Sequence, residues 1–228
     1  MARNIVEMAF DNEKKYIERA SASWEDKPTE GIITGSLCLD TDTGVVWAFE
    51  ETSGIWSRVR ADLKQISGAT VTLGSALTYD GTEKTQTISS VVLGETTLVA
   101  DTDYRVEQNK ATNAGTYTLY IVGIGEYSGI VRKAFTISKA NGSVTADPDS
   151  LTLTAGGDAG TSALTVVGDG EISVASADAD VAVCSVEDNT VTVDPVEAGS
   201  TTVTVTLADS ANYNGSTETI SVTVEEAE

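Results

Sequence analysis

The run Thr201-Thr202-Val203-Thr204-Val205-Thr206-Leu207 alternates without a break, so Val203, Val205 and Leu207 face one way and Thr202, Thr204 and Thr206 the other. A period of two is the mark of a strand with one wet face, and such a strand must bury its apolar side against a second layer. Six more runs of this kind share residues 141–228: Leu151 to Ala155, Ala163 to Val167, Ile172 to Ser176, Val181 to Val186, Thr190 to Asp194 and Thr219 to Glu225. Seven short strands in 88 residues predict a β-sandwich. Composition points the same way for the whole chain, which is 40% hydrophobic but only 6% aromatic, and is rich in Thr, Val, Ser, Ala and Gly.

At 228 residues the chain exceeds one ordinary domain, and three segments differ in kind. Residues 1–66 hold all three tryptophans and mix both charge signs. Within them Glu7 to Ala20 has the Glu, Lys and Ala content of a short helix, with Met8, Tyr16 and Ile17 as its apolar contacts. After the turn signal Lys27-Pro28-Thr29-Glu30-Gly31 come three short runs, Ser36 to Leu39, Val45 to Glu50 and Ile55 to Val59. Asp42-Thr43-Gly44 and Thr52-Ser53-Gly54 separate them, which predicts a three-stranded meander. Trp47 and Phe49 share one face by period-two spacing, and Trp56 joins them from the next strand. The rings serve either as the core of a very small unit or as a docking surface. Because so small a unit can complete its core against a partner, Trp24, Trp47, Phe49 and Trp56 are the partner-binding candidates.

Residues 69–139 open with Ala69-Thr70-Val71-Thr72-Leu73 and close with Lys133-Ala134-Phe135-Thr136-Ile137. Between these lie Tyr79-Asp80-Gly81, Asp101-Thr102-Asp103-Tyr104, Asn113-Ala114-Gly115-Thr116-Tyr117 and Gly123-Ile124-Gly125-Glu126-Tyr127-Ser128-Gly129. In this order the motifs resemble the bacterial Ig-like family named for its YDG or MBG motif, with Ala100 standing where glycine is common. The last segment, with Ala211-Asn212-Tyr213-Asn214-Gly215 before a final Val-x-Val strand, looks like bacterial Ig-like modules of the type-2 group. Pattern and resemblance together give the expectation of an all-β chain: a small N-terminal β-meander module (1–66), read from its turns and runs, followed by two β-sandwich domains (69–139 and 141–228) that the resemblances imply are Ig-like, with short linkers near Gln65 to Ala69 and Lys139 to Ser143 that allow limited hinge motion.

Of the net charge of −21, −16 falls in residues 141–228, which contain no Lys or Arg, leaving −5 for residues 1–140. That surface repels nucleic-acid phosphate and anionic lipid, so neither nucleic acid nor membrane is an expected partner. With no histidine, the Ser-His-Asp and Cys-His arrangements and the commonest zinc ligand are missing. The carboxylate pairs Asp101 with Asp103 and Asp178 with Asp180 lie in turns, where they are poorly placed for glycoside cleavage. Asp40-Thr41-Asp42-Thr43-Gly44 imitates the start of a calcium loop without its distal glutamate. Gly123-Ile124-Gly125 lacks the dinucleotide spacing, and Asn141-Gly142-Ser143 and Asn214-Gly215-Ser216 read as turns before they read as glycosylation sites. Cys38 and Cys184 have no CxxC-like neighbour and indicate no disulfide framework. The expectation is a non-enzymatic chain with no catalytic residues, no metal and no cofactor. Tyr79, Tyr104, Tyr117 and Tyr127 invite a sugar-stacking reading, but all four occupy motif positions of the Ig-like family, where packing is the expected role.

The opening MARNIVEMAFDNEKKYIERA is interrupted by charge before an apolar signal core forms, so synthesis in a host cytoplasm is expected. Lys27-Pro28-Thr29, Gly35-Ser36-Leu37, Asp42-Thr43-Gly44-Val45-Val46-Trp47-Ala48-Phe49 and Trp56 together resemble small proteins of tailed bacteriophages. That resemblance implies a structural protein on the virion surface, a capsid decoration or head-fibre protein. Its implied partner is the major capsid protein or another virion protein, with a homo-oligomer, a trimer among the options, and weak contact with host-surface glycans. A tail-associated virion protein and a bacterial surface adhesin or glycan-binding stalk are the alternatives.

Overall fold

The computed structural model of the chain describes residues 6–10, 14–19, 36–40, 45–50, 52–59 and 63–227. Every regular element among the described residues is a β-strand. They form two compact units, the first within Met1–Ser75, Thr85–Ala111 and Thr116–Thr136, the second within Ala76–Lys84, Thr112–Gly115 and Ile137–Glu228.

The first unit begins with a five-stranded sheet in the order Val6–Phe10, Lys14–Arg19, Leu37–Asp40, Val45–Glu50 and Ile55–Val59. The last three strands are the expected antiparallel meander. The helix expected over Glu7 to Ala20 is not formed: Val6–Phe10 and Lys14–Arg19 are antiparallel strands, paired from Val6 opposite Glu18 to Phe10 opposite Lys14. The residue types favour a helix, but Val6, Met8 and Phe10 recur every second position, and pairing in a sheet overrides propensity. Lys14–Arg19 then runs parallel to Leu37–Asp40.

The same unit contains a three-stranded sheet of Thr96–Thr97, Ile88–Leu93 and Thr70–Leu73, the strand Tyr104–Glu107, and all but one end of the strands Gly115–Gly123 and Ile130–Ser138, these last three lying side by side in that order. Val71, Val91, Leu98, Tyr104, Leu119, Ile121 and Phe135 are among its buried apolar residues. At the Ala100-Asp101 turn Asp101 itself adopts φ 61°, the left-handed conformation a glycine would take, and its N–H donates to Tyr104 O at 2.8 Å.

In the second unit two four-stranded sheets form a β-sandwich. One runs Ser143–Asp147, Gly160–Val167, Thr190–Pro195, Ala182–Glu187, and the other Ser150–Thr154, Ser216–Glu225, Gly199–Leu207, Ile172–Ser176. All seven runs read from the sequence are strands. The eighth, Ser143–Asp147, is hidden in the sequence by the turn formers that follow it, Asp147-Pro148-Asp149. Val203, Val205 and Leu207 are buried together with Ile220, Val222 and Val224, while Thr202 and Thr204 are exposed on the other face. Burying such aliphatic side chains contributes roughly 1.5–3 kcal/mol each. Replacement of Ile220 by Ala is expected to cost about 3 kcal/mol, while Thr219→Ala, one residue away on the wet face, changes stability by less than about 0.5 kcal/mol; urea denaturation followed by circular dichroism compares the two.

A turn at Asp80-Gly81 carries a local charge device. Asp80 Oδ1 accepts from the Thr82 hydroxyl at 2.6 Å and the Thr82 N–H at 3.0 Å, and Lys84 Nζ donates to Oδ2. The Lys84 bond first, then those from Thr82, hold the carboxyl at about 2 against an ordinary 3.8. Because the folded value lies below the unfolded one, this contribution is present above the unfolded pKa and is lost as pH falls through the folded one. A carbon-13 NMR titration is expected to find the Asp80 midpoint at about 2 and, in Lys84→Met, a midpoint moved up toward 3.8.

Candidate assembly surface

Period-two geometry sorts the meander's side chains onto two faces. Register places Cys38 opposite Trp47 and Phe49 opposite Trp56, so these four residues share one face and form a single cluster. The Phe49 and Trp56 rings lie 5.2 Å apart, tilted by 47°. Trp47, Phe49 and Trp56 are 6%, 3% and 2% exposed, so their rings are enclosed within the unit. The Arg58 guanidinium stands 5.8 Å from the centre of the Trp47 ring, within cation–π range, and its Nη1 donates to Gly125 O at 3.3 Å. Trp24, the fourth candidate, lies outside the described residues.

The opposite face of the meander carries Glu50 and Ile55, which pair across neighbouring strands. Ile55 packs in one cluster with Tyr120 and Val122, with Ile130 against it. This contact explains why Gly115–Gly123 changes character along its length. In its first half Gly115, Thr116 and Thr118 are exposed and only Tyr117 is half-buried, whereas Leu119, Tyr120, Ile121, Val122 and Gly123 are all buried. A strand covered on both sides loses its alternation, and four consecutive apolar residues are the signal of that in the sequence.

Around this apolar contact the polar groups interlock. Arg105, 8% exposed, places Nε 2.7 Å from Glu107 Oε1 and donates from Nη2 to Trp56 O at 3.1 Å. Residues 105 and 107 lie two apart on one strand, so the carboxylate is held on the same side as the guanidinium. Gln108 Nε2 donates to Ser53 O at 2.8 Å, Ser53 Oγ donates to Glu50 Oε2 at 2.7 Å, and Glu50 Oε1 accepts from Arg132. Arg132 also stands 5.9 Å from the Tyr120 ring centre. The contacts bridge residues 50–58 and 105–132 within the first unit. None of Arg105, Glu107, Gln108 or Arg132 stands out in the sequence as a site residue.

The tyrosines read as sugar-stacking candidates are engaged in packing. Tyr104 and Tyr127 are buried, Tyr117 meets Phe135 at 5.5 Å, and Tyr79 meets Tyr213 edge-on at 5.4 Å. The carboxylate pairs cap turns: Asp103 Oδ2 accepts the Val99 N–H at 2.8 Å, and Asp178 Oδ1 accepts the Asp180 N–H at 3.0 Å. Among the described residues no three His, Cys, Asp or Glu side chains converge as a metal-binding set.

No protein-family model matches the chain, and no curated protein matches it. Similar solved structures include domains 4 and 5 of the S-layer protein SbsC, 20% identical over 69% of this chain and 97% of that one, with a TM-score of 0.33. The fibronectin(III)-like modules of Clostridium thermocellum CbhA are 13% identical over 69% of this chain and 95% of theirs, TM-score 0.29. Titin domains I67–I69 are likewise 13% identical, over 69% and 66%, TM-score 0.29. The chain's own strands give the fold: among the described residues every regular element is a β-strand, and the two four-stranded sheets of the second unit enclose one apolar core as a β-sandwich.

Breaking the Arg105–Glu107 pair from one side leaves a buried guanidinium without its counter-charge, the costly way to remove an ion pair. Glu107→Gln is expected to lower the stability of the first unit by about 3 kcal/mol, and the double variant Arg105→Met with Glu107→Leu to restore most of that. Urea denaturation followed by tryptophan fluorescence, which reports on Trp47 and Trp56, measures both.

Proposed function

We propose that this chain is a non-enzymatic structural protein of a tailed-phage virion, a capsid decoration or head-fibre protein. Residues 1–66 attach it, and the Ig-like domains are displayed outward. The observation that carries the reading is the N-terminal pattern from Lys27-Pro28-Thr29 to Trp56, which resembles small phage proteins and is joined to Ig-like sandwiches. A module that must attach without yielding benefits from an internally locked sheet. The buried Trp47, Phe49 and Trp56 supply that stiffness, and the Ile55 and Arg105 contacts tie the sheet to the strands beside it.

On this reading the partner is the major capsid protein or a neighbouring virion protein. Attachment at many equivalent lattice positions accumulates avidity without requiring one tight interface, and a homotrimer suits a threefold position. The strongly acidic residues 141–228 keep displayed domains apart and limit contact with host-surface glycans to weak encounters.

Antibodies raised against the full chain, applied with gold to particles from the genome that encodes it, test the proposal. Labelled heads are the expected result. Gold on tails moves the protein to the tail-associated alternative, and gold on the cell envelope with bare particles overturns the virion reading in favour of an adhesin or glycan-binding stalk.

A further inference from the structure

The segments Lys64–Gln65 and Ala140–Asn141 are both two-residue strands, and both are held in the same way. In the first unit, Lys64–Gln65 runs parallel to Tyr127–Ser128; Lys64 N–H donates to Glu126 O and Ile66 N–H to Ser128 O, each at 2.9 Å. In the second, Ala140–Asn141 runs parallel to Tyr213–Asn214; Ala140 N–H donates to Asn212 O at 2.9 Å and Gly142 N–H to Asn214 O at 3.0 Å. A side-chain bond crosses each pair at the same place, Gln65 Nε2 to Ser128 Oγ at 2.7 Å and Asn214 Nδ2 to Asn141 Oδ1 at 3.0 Å.

The correspondence continues along the chain. Fifteen residues after Lys64, Tyr79 N–H donates to Ser138 O at 2.9 Å; fifteen after Ala140, Ala155 N–H donates to Glu225 O at 2.8 Å. Each follows a strand lying parallel to a late strand, Leu77–Thr78 beside Ile137–Ser138 and Ser150–Thr154 beside Ser221–Glu225. Asn113-Ala114-Gly115 and Glu197-Ala198-Gly199 each open a nine-residue strand.

Two turns that precede and follow the middle of the first series also hold a loop of the second. Ala114 N–H donates to Asn212 Oδ1 at 2.8 Å, Asn212 Nδ2 donates to Asn113 Oδ1 at 3.3 Å, and the Tyr79 ring meets Tyr213 edge-on. All of these residues belong to the second compact unit.

We infer that residues 64–138 and 140–225 are two copies of one repeat, each opening with a parallel clip, and that the turns Ala76–Lys84 and Thr112–Gly115 of the first copy form a socket for the Asn212-Tyr213 loop of the second. The second copy has Ala155 where the first has Tyr79, and Glu197 where the first has Asn113. Its matching turns therefore offer neither the ring nor the amide, and the socket is a specialisation of the first copy. The loop does two tasks with different atoms: its backbone carbonyls clip the leading strand of its own copy, while Asn212 Oδ1 and the Tyr213 ring fill the socket. This arrangement is independent of where the protein works.

Hydrogen exchange on the full chain, read by mass spectrometry and by NMR at single amides, tests it. In the wild type Ile66 and Gly142 amides are expected to exchange slowly despite lying in two linkers; exchange at the rate of open chain there overturns the shared clip. Asn212→Ala and Tyr79→Ala are each expected to speed exchange at 76–84 and 112–115 by about tenfold, with 203–207 and 220–224 still protected. Unchanged exchange at 76–84 and 112–115 overturns the socket. Asn212→Asp, which keeps the acceptor for Ala114, is expected to leave that amide protected; loosening as great as in Asn212→Ala also overturns the socket and identifies general damage instead.

Discussion

The two-sided burial of one half-strand, Leu119 to Gly123, organises the first unit. Leu119 and Ile121 are buried on one side, and Tyr120 and Val122 lie beneath Ile55 on the other. Because the second covering comes from the meander, the meander and the Ig-like strands cannot reach their low-energy packing separately. Arg105 makes the attachment directional: an apolar patch alone tolerates sliding, whereas a guanidinium shared between Glu107 and the carbonyl of Trp56 accepts one placement.

The parts of this fold that are legible in the sequence are those with one wet face. Val203, Val205 and Leu207 announce their burial because Thr202, Thr204 and Thr206 separate them, and Trp47 and Phe49 declare a common face by the same rule. Where both faces are covered the rule falls silent, and Leu119-Tyr120-Ile121-Val122 shows an apolar run without naming Ile55 as its partner. Two-residue strands such as Lys64–Gln65 and Ala140–Asn141 are too short to carry any period. At Val6–Phe10 and Lys14–Arg19 helix-forming residue types outweigh a weak alternation in the sequence, and the sheet resolves the conflict the other way. Arg105 is invisible in advance because a lone arginine between strand residues ordinarily points to water.

The candidate surface shows the same division. That Trp47, Phe49 and Trp56 gather is readable from spacing; that they gather inward depends on what lies over them, which spacing does not encode. Their burial makes them the frame of the sheet, and the polar groups around Ile55 are the residues that give the frame an orientation.

The alternation that makes the last sandwich easy to read also makes it ambiguous to itself. Thr202–Leu207 and Thr219–Val224 each repeat a hydroxyl residue and an aliphatic one, so within these stretches a slip of two residues returns every side chain to its proper face. Side-chain identity alone therefore separates the native ladder only weakly from its neighbours in register. The loop between the strands makes the selection. Asp209 accepts the Gly215 N–H, Ser210 Oγ accepts the N–H groups of Asn212 and Tyr213 at 3.3 and 3.1 Å, and a Cβ on Gly215 would stand 2.6 Å from Leu207 O. A ladder of interchangeable rungs thus takes its numbering from its hinge, and the loop at 208–215 acts as the counter that tells one strand where the other begins.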